Sequence, residues 1–554
     1  MLTAMPPKKK SKSSSAKTIV VVGAALAGPT AAARAREVDE HARIILLERN
    51  TRVSYAMTGL SLHLSGEVAS LEELNRERED FFQSVYNIEV RTRTEVVQLE
   101  AKKKLLHLRD EKGDSTLPYD RLIFAAGASS LHPIGLKAAE NFRYFRTLDD
   151  LAAIRAQLDS GARRFVILGG GSMGAEALDG LVRGGADVTL VEKKLRFLPD
   201  YAPEISSIAT AAQEHKARIV AGFKHTDFEY KDNRIVAVKV DGMRIDTDFV
   251  VGAIGVRPRT ELLKKAGVRL LGDGSIAVNE RCETNVKDVY ACSICVSVPD
   301  GKEHVYIPQA AVSDKTAQVA GENAAGGKAV LRSMTASQII RLPGIEVGRV
   351  GLTCSQAMRK FGKANIGSVF VHGRNTEPYM PGSEGISLKL FYHRKKKQVI
   401  ALEAAGKDIK SRLDTVAAAL AGGLTLNQLA MLDLAYTPAY GTARDALNVA
   451  ATVALQKEAG LTATTSYEEI RAARAKYFVV DVSLKARHAG FHDMHIPLER
   501  LRESTGQLAE KFKKSRAKIV ATLSESGRRG HLAMRILKAR GFTAVNILGG
   551  KKTS

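Results

Sequence analysis

Two segments of the chain share one pattern of apolar and polar positions. Each opens with a short apolar run, Thr18–Val22 in the first segment and Phe165–Leu168 in the second. Runs of this length that are rich in Val and Ile predict buried strands. In both segments a turn of small residues follows, then a helical stretch, and then a second apolar run that ends in an acid. The pattern therefore predicts two βαβ units.

The small residues of both turns fall at the positions of a G-x-G-x-x-G motif. The first segment has Gly23, Ala25 and Gly28 before the acid Glu48, and the second has Gly169, Gly171 and Gly174 before Glu192. Small residues at this spacing let the backbone approach a pyrophosphate at a helix N-terminus, and the acid binds the ribose hydroxyls. Because Ala25 replaces the middle glycine, the first turn alone also fits an ordinary α/β unit. The complete second copy favours two dinucleotide sites.

Other segments extend this α/β organisation. One apolar strand ends in Ala126 and Gly127 and another ends in Gly255, so each brings bare backbone close to a flat or charged group. The stretch Thr147–Leu158 predicts a helix with Thr147 as its N-cap. Residues 333–451 indicate a separate α+β region, and residues 467–550 indicate a last small α/β unit after the linker 456–466.

Composition limits the cellular setting and the partners. The 554 residues include 83 Lys and Arg against 60 Asp and Glu, a net charge of +23, and four Cys. Few cysteines and the lack of a long apolar run predict a cytoplasmic protein without a membrane partner. The polar, basic tail 1–17 is expected to be disordered, either as a solubilising extension or as an arm that contacts an anionic surface. The runs Lys102–Lys104 and Arg394–Lys397 are expected in exposed hairpin turns. No nucleic-acid-binding motif accompanies them, so the sequence does not predict a nucleic-acid partner.

These segments resemble a known family. The order of the two nucleotide units, AAG at 125–127, GVRPRTELL at 255–263, VYA at 289–291 and LDLAYTPAYGTARD at 432–445 are similar to the pyridine nucleotide–disulfide oxidoreductases. Within that family the chain resembles the coenzyme A-disulfide reductase and polysulfide reductase branch that carries a C-terminal rhodanese domain. The resemblance covers nearly the whole chain.

The resemblance implies a domain plan and cofactors. The plan has an FAD domain (18–148 and 270–332), an NAD(P)H domain (149–269), an α+β dimerisation domain (333–455) and a rhodanese-like domain (465–554), with the chain acting as a homodimer. Both nucleotide domains would be Rossmann-like. The implied cofactor-binding positions are Gly23, Ala25, Gly28, Glu48, Arg49, Ser54, Ala126, Gly127, Gly169, Gly171, Gly174, Glu192, Gly255 and Ile294. In the family, hydride passes from nicotinamide to flavin, and a cysteine then passes electrons to a disulfide or persulfide.

The sequence departs from the family at both sulfur-handling positions. Thr58 stands at the position of the redox cysteine, and Ser524 stands at the position of the rhodanese cysteine with Glu525 beside it. A hydroxyl forms no mixed disulfide and carries no sulfane sulfur. Neither position is therefore expected to perform thiol chemistry, although the C-terminal loop still fits anion binding or docking.

Two further departures affect the flavin site. Ser293 and Ile294 replace a Gly-Asp pair whose acid bonds the ribityl chain in the family. Beside them Cys292 and Cys295 form a C-x-x-C pair, which fits a relocated redox pair, half of a metal site or two buried small residues. On a strand such residues would point to opposite faces. The sequence therefore favours buried small residues, and no metal is predicted.

The coenzyme A pocket also differs from the family pattern. Thr30 and Ser54 match polar positions of that pocket, but Glu37 replaces a basic residue and would repel phosphate. The adjacent Arg34 and Arg36 are candidates to compensate for this acid.

Three tyrosines are candidate acid–base groups. Tyr379, Tyr436 and Tyr440 match dimerisation-domain positions that reach over the partner subunit's active site in the family. The alternative is that they are packing aromatics in a turn rich in Pro and Gly.

Three hypotheses for the function remain. The favoured one is an FAD protein that oxidises NAD(P)H and passes electrons to oxygen, a quinone-like molecule or another small acceptor. Glu192 favours NADH because it would repel a 2′-phosphate, although Lys193 and Lys194 leave NADPH open. The second hypothesis is a non-catalytic descendant that keeps the fold for binding or scaffolding. The third, a nucleic-acid-associated protein, rests only on the net charge and the tail.

Overall fold

The computed structural model describes residues 16–75, 77–301, 303–332, 334–485 and 490–550. Contacts between residues divide the described chain into two units. The first comprises residues 16–59, 68–131 and 256–332, and the second comprises residues 60–67, 132–255 and 334–550. Nearly all of the predicted basic tail lies outside the described residues. None of the helices in the described part of the chain combines the length and apolar content needed to cross a bilayer.

The elements of residues 16–131 are mostly strands. They are β1 Thr18–Val22, α1 Ala27–Val38, β2 Arg43–Leu47, α2 Leu60–Leu64, α3 Glu79–Tyr86, β3 Ile88–Arg91, β4 Glu95–Glu100, β5 Leu105–Asp110, β6 Gly113–Pro118, β7 Arg121–Phe124 and β8 Ala128–Ser130. The hairpin between β4 and β5 contains Lys102–Lys104, as predicted.

The elements of residues 132–332 are likewise mostly strands, with a few helices between them. They are β9 Phe142–Tyr144, α4 Leu148–Asp159, β10 Arg164–Leu168, α5 Ser172–Arg183, β11 Asp187–Glu192, α6 Pro203–Ala211, β12 Arg218–Ala221, β13 Thr226–Lys231, β14 Arg234–Val240, β15 Met243–Asp246, β16 Phe249–Gly252, β17 Val256–Pro258, α7 Glu261–Lys265, β18 Ile276–Ala277, β19 Val289–Ala291, β20 Val296–Asp300, β21 Glu303–Tyr306 and α8 Ala310–Ala324. Thr147 caps α4 as predicted, since its Oγ1 accepts a hydrogen bond from the Asp150 N–H at 3.1 Å.

Two parallel five-stranded sheets share the arrangement of four strands, but their fifth strand comes last in the chain in the first sheet (β19) and first in the second sheet (β9). The first has the order β3-β2-β1-β7-β19 and the second has the order β12-β11-β10-β16-β9. In each sheet the chain leaves the central strand in one direction and later returns to its other side, which creates a switch point at the carboxyl end of the central strand. The second sheet includes β9, which lies before the predicted domain boundary at residue 148 and pairs with β16.

The remaining elements belong to the second unit. Those of residues 338–458 form its central part, and those of residues 464–547 form its C-terminal part. They are β22 Gln338–Leu342, β23 Ile345–Gly351, α9 Cys354–Phe361, β24 Ile366–Arg374, β25 Gly385–His393, β26 Val399–Gly406, α10 Lys410–Gly422, α11 Leu426–Ala430, α12 Ala446–Glu458, β27 Thr464–Thr465, α13 Tyr467–Ala472, β28 Tyr477–Asp481, β29 Met494–His495, α14 Leu498–Leu501, α15 Thr505–Lys514, β30 Ile519–Leu523, α16 Arg528–Ala539 and β31 Ala544–Ile547. The central sheet is antiparallel, in the order β22-β23-β26-β25-β24, and the C-terminal sheet is parallel, in the order β27-β31-β30-β28-β29.

Of two predictions about the chain between elements, the one for the linker 456–466 was wrong, and the one for Arg394–Lys397 was right about the hairpin turn but only partly right about its exposure. The linker 456–466 is helical at its start, because α12 continues to Glu458. Only the tip of the turn that holds Arg394–Lys397 is exposed. The Glu458 carboxylate accepts hydrogen bonds from Arg394 Nη1 at 2.7 Å and Lys397 Nζ at 3.3 Å, which leaves both cations half-buried.

Candidate functional site

The first turn, between β1 and α1, needs glycine at two positions. Gly23 has φ +100°, and a Cβ there would lie 2.6 Å from the Ala125 carbonyl oxygen. A Cβ on Gly28 would lie 1.8 Å from the Gly23 carbonyl oxygen. Any larger residue at either position would therefore push α1 away from the end of the sheet.

The second turn, between β10 and α5, repeats these constraints. Gly169 has φ +104°, and a Cβ there would lie 2.5 Å from the Ala253 carbonyl oxygen; a Cβ on Gly174 would lie 1.9 Å from the Gly169 carbonyl oxygen. The two turns differ at the middle position. A Cβ on Gly171 would have no described protein atom within 4 Å, and the first turn already carries Ala25 at the corresponding place.

An acid closes each turn in the same way. The Glu48 carboxylate accepts hydrogen bonds from the Ala24 N–H at 2.8 Å and from the Asn50 N–H at 2.9 Å. The Glu192 carboxylate accepts from the Gly170 N–H at 2.6 Å and from the Lys194 N–H at 2.7 Å. Both acids are only 8% exposed. Each is thus fixed at the carboxyl end of its strand, where a ribose hydroxyl would meet it.

A cavity of about 570 Å³ opens at the carboxyl ends of β1, β2 and β7 in the first unit. The predicted residues Gly23, Glu48, Arg49 and Ala126 line it. The sequence interpretation did not identify its other polar and charged lining residues, Thr94, Glu95, Ser129, Arg257, Arg259 and Glu261. The segment that contains the two arginines is held in place by the Arg259 N–H, which donates to the Gly127 carbonyl oxygen at 3.0 Å.

The segment that bears Thr58 lies beside the first turn. The N–H groups of Ser54 and Tyr55 donate to the carbonyl oxygens of Ala24 and Ala25 at 2.8 and 3.1 Å. Ser54 is buried with φ +52°, a conformation that is uncommon for a serine. Thr58 itself is exposed in a short 3-10 helix, Met57–Gly59. Thr58 is therefore free to face a ligand, but it offers a hydroxyl and no thiol.

The turn that replaces the family's Gly-Asp pair keeps a backbone suited to glycine. Ser293 has φ +79°, and its N–H donates to Thr316 Oγ1 at 3.2 Å. A Cβ on Gly127 would lie 3.8 Å from Ser293 Oγ and 3.9 Å from Ile294 Cγ1. Ile294 thus stands beside Gly127 with an apolar side chain, and the carboxylate that would bond a ribityl hydroxyl is missing from this position.

The expectation that the C-x-x-C pair lies on a strand was wrong. β19 ends at Ala291, and Ser293–Cys295 is a 3-10 helix, in which residues three apart share a face. Cys295 Sγ donates to the Cys292 carbonyl oxygen at 3.0 Å. Cys282, Cys292 and Cys295 are fully buried; burial raises the pKa of Cys282 and of Cys295 to about 12, and it also raises the pKa of Cys292 well above its ordinary value. These thiols are therefore protonated and unreactive at neutral pH.

The two arginines proposed to compensate for Glu37 are already occupied. Arg34 forms ion pairs with Glu37 at 2.7 Å and with Glu322 at 2.6 Å. Arg36 is 4% exposed and donates to backbone carbonyl oxygens, including that of Tyr86 at 2.7 Å. Arg34 therefore neutralises Glu37, as the sequence suggested, whereas Arg36 is committed to backbone carbonyl oxygens instead.

In the C-terminal part, the Ser524 hydroxyl is buried and bonds to the backbone of the loop that follows it. Its side chain is 1% exposed, and its Oγ accepts a hydrogen bond from the Gly530 N–H at 3.1 Å. Gly550 packs against the same loop, where a Cβ would lie 2.0 Å from the Ser524 carbonyl oxygen. The hydroxyl therefore takes up a backbone donor that would otherwise face an anion.

The three tyrosines lie together on the surface of the central part. Tyr379, Tyr436 and Tyr440 are 71%, 48% and 81% exposed. Tyr436 donates to Glu377 Oε1 at 3.2 Å, and partial burial together with this carboxylate raises the pKa of Tyr436. The alternative of packed aromatics was wrong for this chain taken singly, because the rings face outward.

Gly255, the last predicted position, is exposed with φ +116° in the loop after β16.

The residues present fit the adenosine part of a dinucleotide in the first unit. The cavity combines a bare glycine turn, a fixed acid and two arginines at the end of a parallel sheet, which is the donor set that a ribose and a pyrophosphate require. The second turn offers the same acid and glycines. At the position where the family resemblance predicts a contact with the ribityl chain, Ile294 has no polar group. Among the described residues, no group of three or more His, Cys, Asp or Glu is placed to hold a metal ion.

Comparison with known families assigns the chain. The model of the pyridine nucleotide-disulphide oxidoreductases matches residues 17–322, which is more than half of the sequence. The chain belongs to the pyridine nucleotide-disulphide oxidoreductase family. The dimerisation-domain model of the same family matches residues 342–447 and suggests a homodimer. Members of this family bind FAD and NAD(H), so the cofactor prediction is confirmed at the level of the family.

Relatives in this family carry different activities. An NADH oxidase of Methanocaldococcus jannaschii is 28% identical over 78% of this chain and 98% of its own. An NAD(P)H sulfur oxidoreductase (CoA-dependent) of Pyrococcus furiosus is 28% identical over 78% and 97%. The solved NAD-dependent persulfide reductase of A. fulgidus is 27% identical, with a TM-score of 0.89 over 96% of this chain and 99% of its own. That last match includes most of the C-terminal part.

Proposed function

We propose that the protein is a homodimeric FAD-dependent NAD(P)H oxidoreductase that passes electrons to a small acceptor other than a disulfide. The observation that carries this proposal is the pair of turn-and-acid sites. Both have two glycines at which an added Cβ would lie less than 3 Å from backbone atoms, and a buried carboxylate that accepts a hydrogen bond from a turn N–H. A chain that no longer bound two nucleotides would have no need to keep this geometry twice.

The residues of the chain would bind and orient the two nucleotides. The N-termini of α1 and α5 would hold the pyrophosphates. Glu48 would accept from the ribose hydroxyls of FAD, and Arg257 and Arg259 lie in the same cavity and add positive charge to it. When bound, FAD supplies the hydride and electron chemistry. The protein's part is to place the nicotinamide site and to exclude competing reactions.

Glu192 favours NADH as the reductant. Two backbone N–H groups hold its carboxylate at the end of β11, so the negative charge cannot swing away from a 2′-phosphate. Lys193 and Lys194 are exposed and do not neutralise it directly. The expected order of preference is therefore NADH before NADPH.

The acceptor is proposed to be oxygen, a quinone-like molecule or another small oxidant. Thr58 cannot exchange with a disulfide, because a hydroxyl is not a thiolate-like nucleophile. No other thiol of the first unit replaces it, since burial keeps Cys282, Cys292 and Cys295 protonated. The C-terminal part, proposed to be a rhodanese-like domain, carries Ser524 and would not transfer sulfur.

One observation favours a second candidate, a non-catalytic binding or scaffolding protein. Ile294 removes the acid expected near the ribityl chain, and the strained Ser293 keeps the glycine conformation without glycine. If this change abolishes FAD binding, electron transfer is lost while the fold remains.

The test is to purify the protein and measure FAD per chain together with NADH turnover against several acceptors. The proposal predicts bound FAD and NADH consumption with oxygen or a quinone, and no reduction of coenzyme A disulfide. Treatment with iodoacetamide should leave this turnover unchanged. Protein without FAD that does not turn over NADH after FAD is added would instead support the non-catalytic candidate. Turnover that depends on a disulfide and is blocked by iodoacetamide would refute both.

A further inference from the structure

The amino edge of the C-terminal sheet collects basic residues from separate stretches of chain. β28 and β30 are neighbouring parallel strands, so their starts lie side by side, and the Lys518 N–H donates to the Lys476 carbonyl oxygen at 3.0 Å. β31 pairs with the other side of β30. Because neighbouring strands are about 4.8 Å apart, the three strand starts lie within about one Debye length at 0.1 M salt, which is about 10 Å.

The three stretches of chain that lead into β28, β30 and β31, which we call the leads, carry only positive charge. The stretches 474–476, 511–518 and 538–543 contain no acidic residue. Six exposed cations define what we call the basic edge: Lys476, Lys511, Lys513, Lys514, Arg516 and Lys518. Arg540, in the third lead, is also exposed. Glu510 is the acid that lies directly before the second lead.

The fold itself does not neutralise the basic edge. The ion pairs of this part within the described chain use other cations: Arg474 with Asp493 at 2.9 Å, Arg529 with Glu499, and Arg196 with Glu468 at 3.1 Å. Lysines in the last turn of α15 are explained by the helix dipole, which favours positive charge at that end. Lys476, Arg516 and Lys518 lie outside that turn, so the dipole does not account for them.

We propose that the basic edge binds the phosphate backbone of nucleic acid without reading its sequence. Lysine and arginine side chains that form no ion pair within the described chain, gathered where these strands begin, offer positive charge to a line of phosphates, and the release of counterions would drive binding. Among them, Lys476 Nζ lies 5.9 Å from the centre of the Tyr477 ring. A membrane surface fits less well. None of the exposed large apolar residues of the described chain lies in the three leads, and stable membrane attachment needs such a second anchor besides charge. This surface is distinct from the basic tail, and its residues carry no recognised nucleic-acid motif.

The experiment uses the full-length protein and a fluorescein-labelled DNA duplex of arbitrary sequence, about 24 base pairs long, titrated by anisotropy from about 50 to 200 mM salt. The test variant is Lys511→Gln/Lys513→Gln/Lys514→Gln/Lys518→Gln. Its control, Lys102→Gln/Lys103→Gln/Lys395→Gln/Lys396→Gln, removes the same charge from exposed turns elsewhere and leaves the tail intact.

The wild-type Kd should rise steeply with salt. The test variant should bind at least tenfold more weakly at low salt, with a log–log slope smaller by up to about 3.6, because each of the four lost phosphate contacts removes about 0.9 from the slope. The control should change by less than about threefold. Equal losses in both variants, or no DNA binding by the wild type, would overturn the proposal. So would binding only to vesicles that contain phosphatidylserine. If the test variant loses helicity by circular dichroism, Lys476→Gln/Arg516→Gln outside α15 replaces it, with the same expected direction.

Discussion

Gly171→Ala separates the role of the second turn in binding from its role in folding. Gly171 is the N-cap of α5, with φ −78° and ψ −169°, which alanine adopts without strain. Its added Cβ would have no described protein atom within 4 Å. The methyl group would instead occupy open space in front of the N-terminus of α5, where we expect a pyrophosphate to approach closely. The first turn already carries Ala25 at the corresponding position, so we expect its pyrophosphate to lie farther from the turn. The substitution therefore leaves the protein intact and obstructs only the ligand.

The two effects differ in size. Alanine is a poorer N-cap than glycine by about 1 kcal/mol, and its smaller freedom in the unfolded chain returns about 0.4–1 kcal/mol. Tm should therefore move by no more than about 4 °C. A phosphate held about 2.9 Å from a backbone nitrogen cannot share that space with a methyl carbon, whose contacts lie at about 3.5–4.0 Å. Losing one hydrogen bond to a charged group costs about 1.5–3 kcal/mol. The KM for NADH should rise about tenfold to a hundredfold.

The assay is steady-state NADH oxidation, with thermal unfolding and FAD content measured on the same sample. Gly174→Ala is the matched control, because its Cβ would lie 1.9 Å from the Gly169 carbonyl oxygen and should damage the fold rather than the affinity. FAD content should not change in Gly171→Ala. An unchanged KM in a stable Gly171→Ala protein, or a loss of FAD in place of NADH affinity, would refute the assignment of the second turn to the nicotinamide nucleotide.

Three further predictions concern other groups. Glu192→Gln removes the charge that repels a 2′-phosphate, so the ratio of kcat/KM for NADH over NADPH should fall at least tenfold; an unchanged ratio would argue against the role of Glu192. Thr58→Cys places a thiol in the exposed turn beside the first nucleotide site and should make NADH turnover sensitive to iodoacetamide, whereas an insensitive variant would mean that Thr58 does not face the electron path. Burial raises the pKa of Glu403 from its ordinary 4.5 to about 7. The neutral form therefore stabilises the fold below about pH 4.5, and about 3 kcal/mol of stability is lost as pH rises from there through about 7. Glu403→Gln should unfold at a higher temperature than wild type at about pH 8 and at about the same temperature at about pH 4; equal behaviour at both pH values would contradict this.

Short stretches of sequence were enough to predict those features of the fold that depend only on neighbouring residues. The strand Thr18–Val22 and the N-cap Thr147 were predicted from a few neighbouring residues and agree with the structure. The glycine positions also agree, because their constraint comes from the turn itself and the adjacent strand end. The parallel pairing of the first two strands of each unit could be expected from the repeated βαβ pattern, since parallel strands joined by helices have few arrangements, whereas the position of the fifth strand, β19 or β9, could not.

Contacts between distant stretches were not predictable in this way. Arg34 was suggested only as compensation for the neighbouring Glu37, but it also pairs with Glu322, which is far along the chain. The two cavity arginines, Arg257 and Arg259, were part of a quoted motif, but nothing in their spacing indicated that they would reach the end of the first sheet. The turn at Ser293–Cys295 was mistaken for a continued strand because its residues have no helical period, and the cap from Thr316 that stabilises it comes from α8.

The central claim is that this fold moves electrons from NADH through a bound flavin without a redox cysteine. An anaerobic titration of the oxidised protein with NADH, followed by the visible flavin absorbance, tests it most directly. The account predicts complete bleaching by about one NADH per FAD and full recovery on admitting oxygen or a quinone. A bound flavin whose absorbance stays unchanged in excess NADH would contradict it.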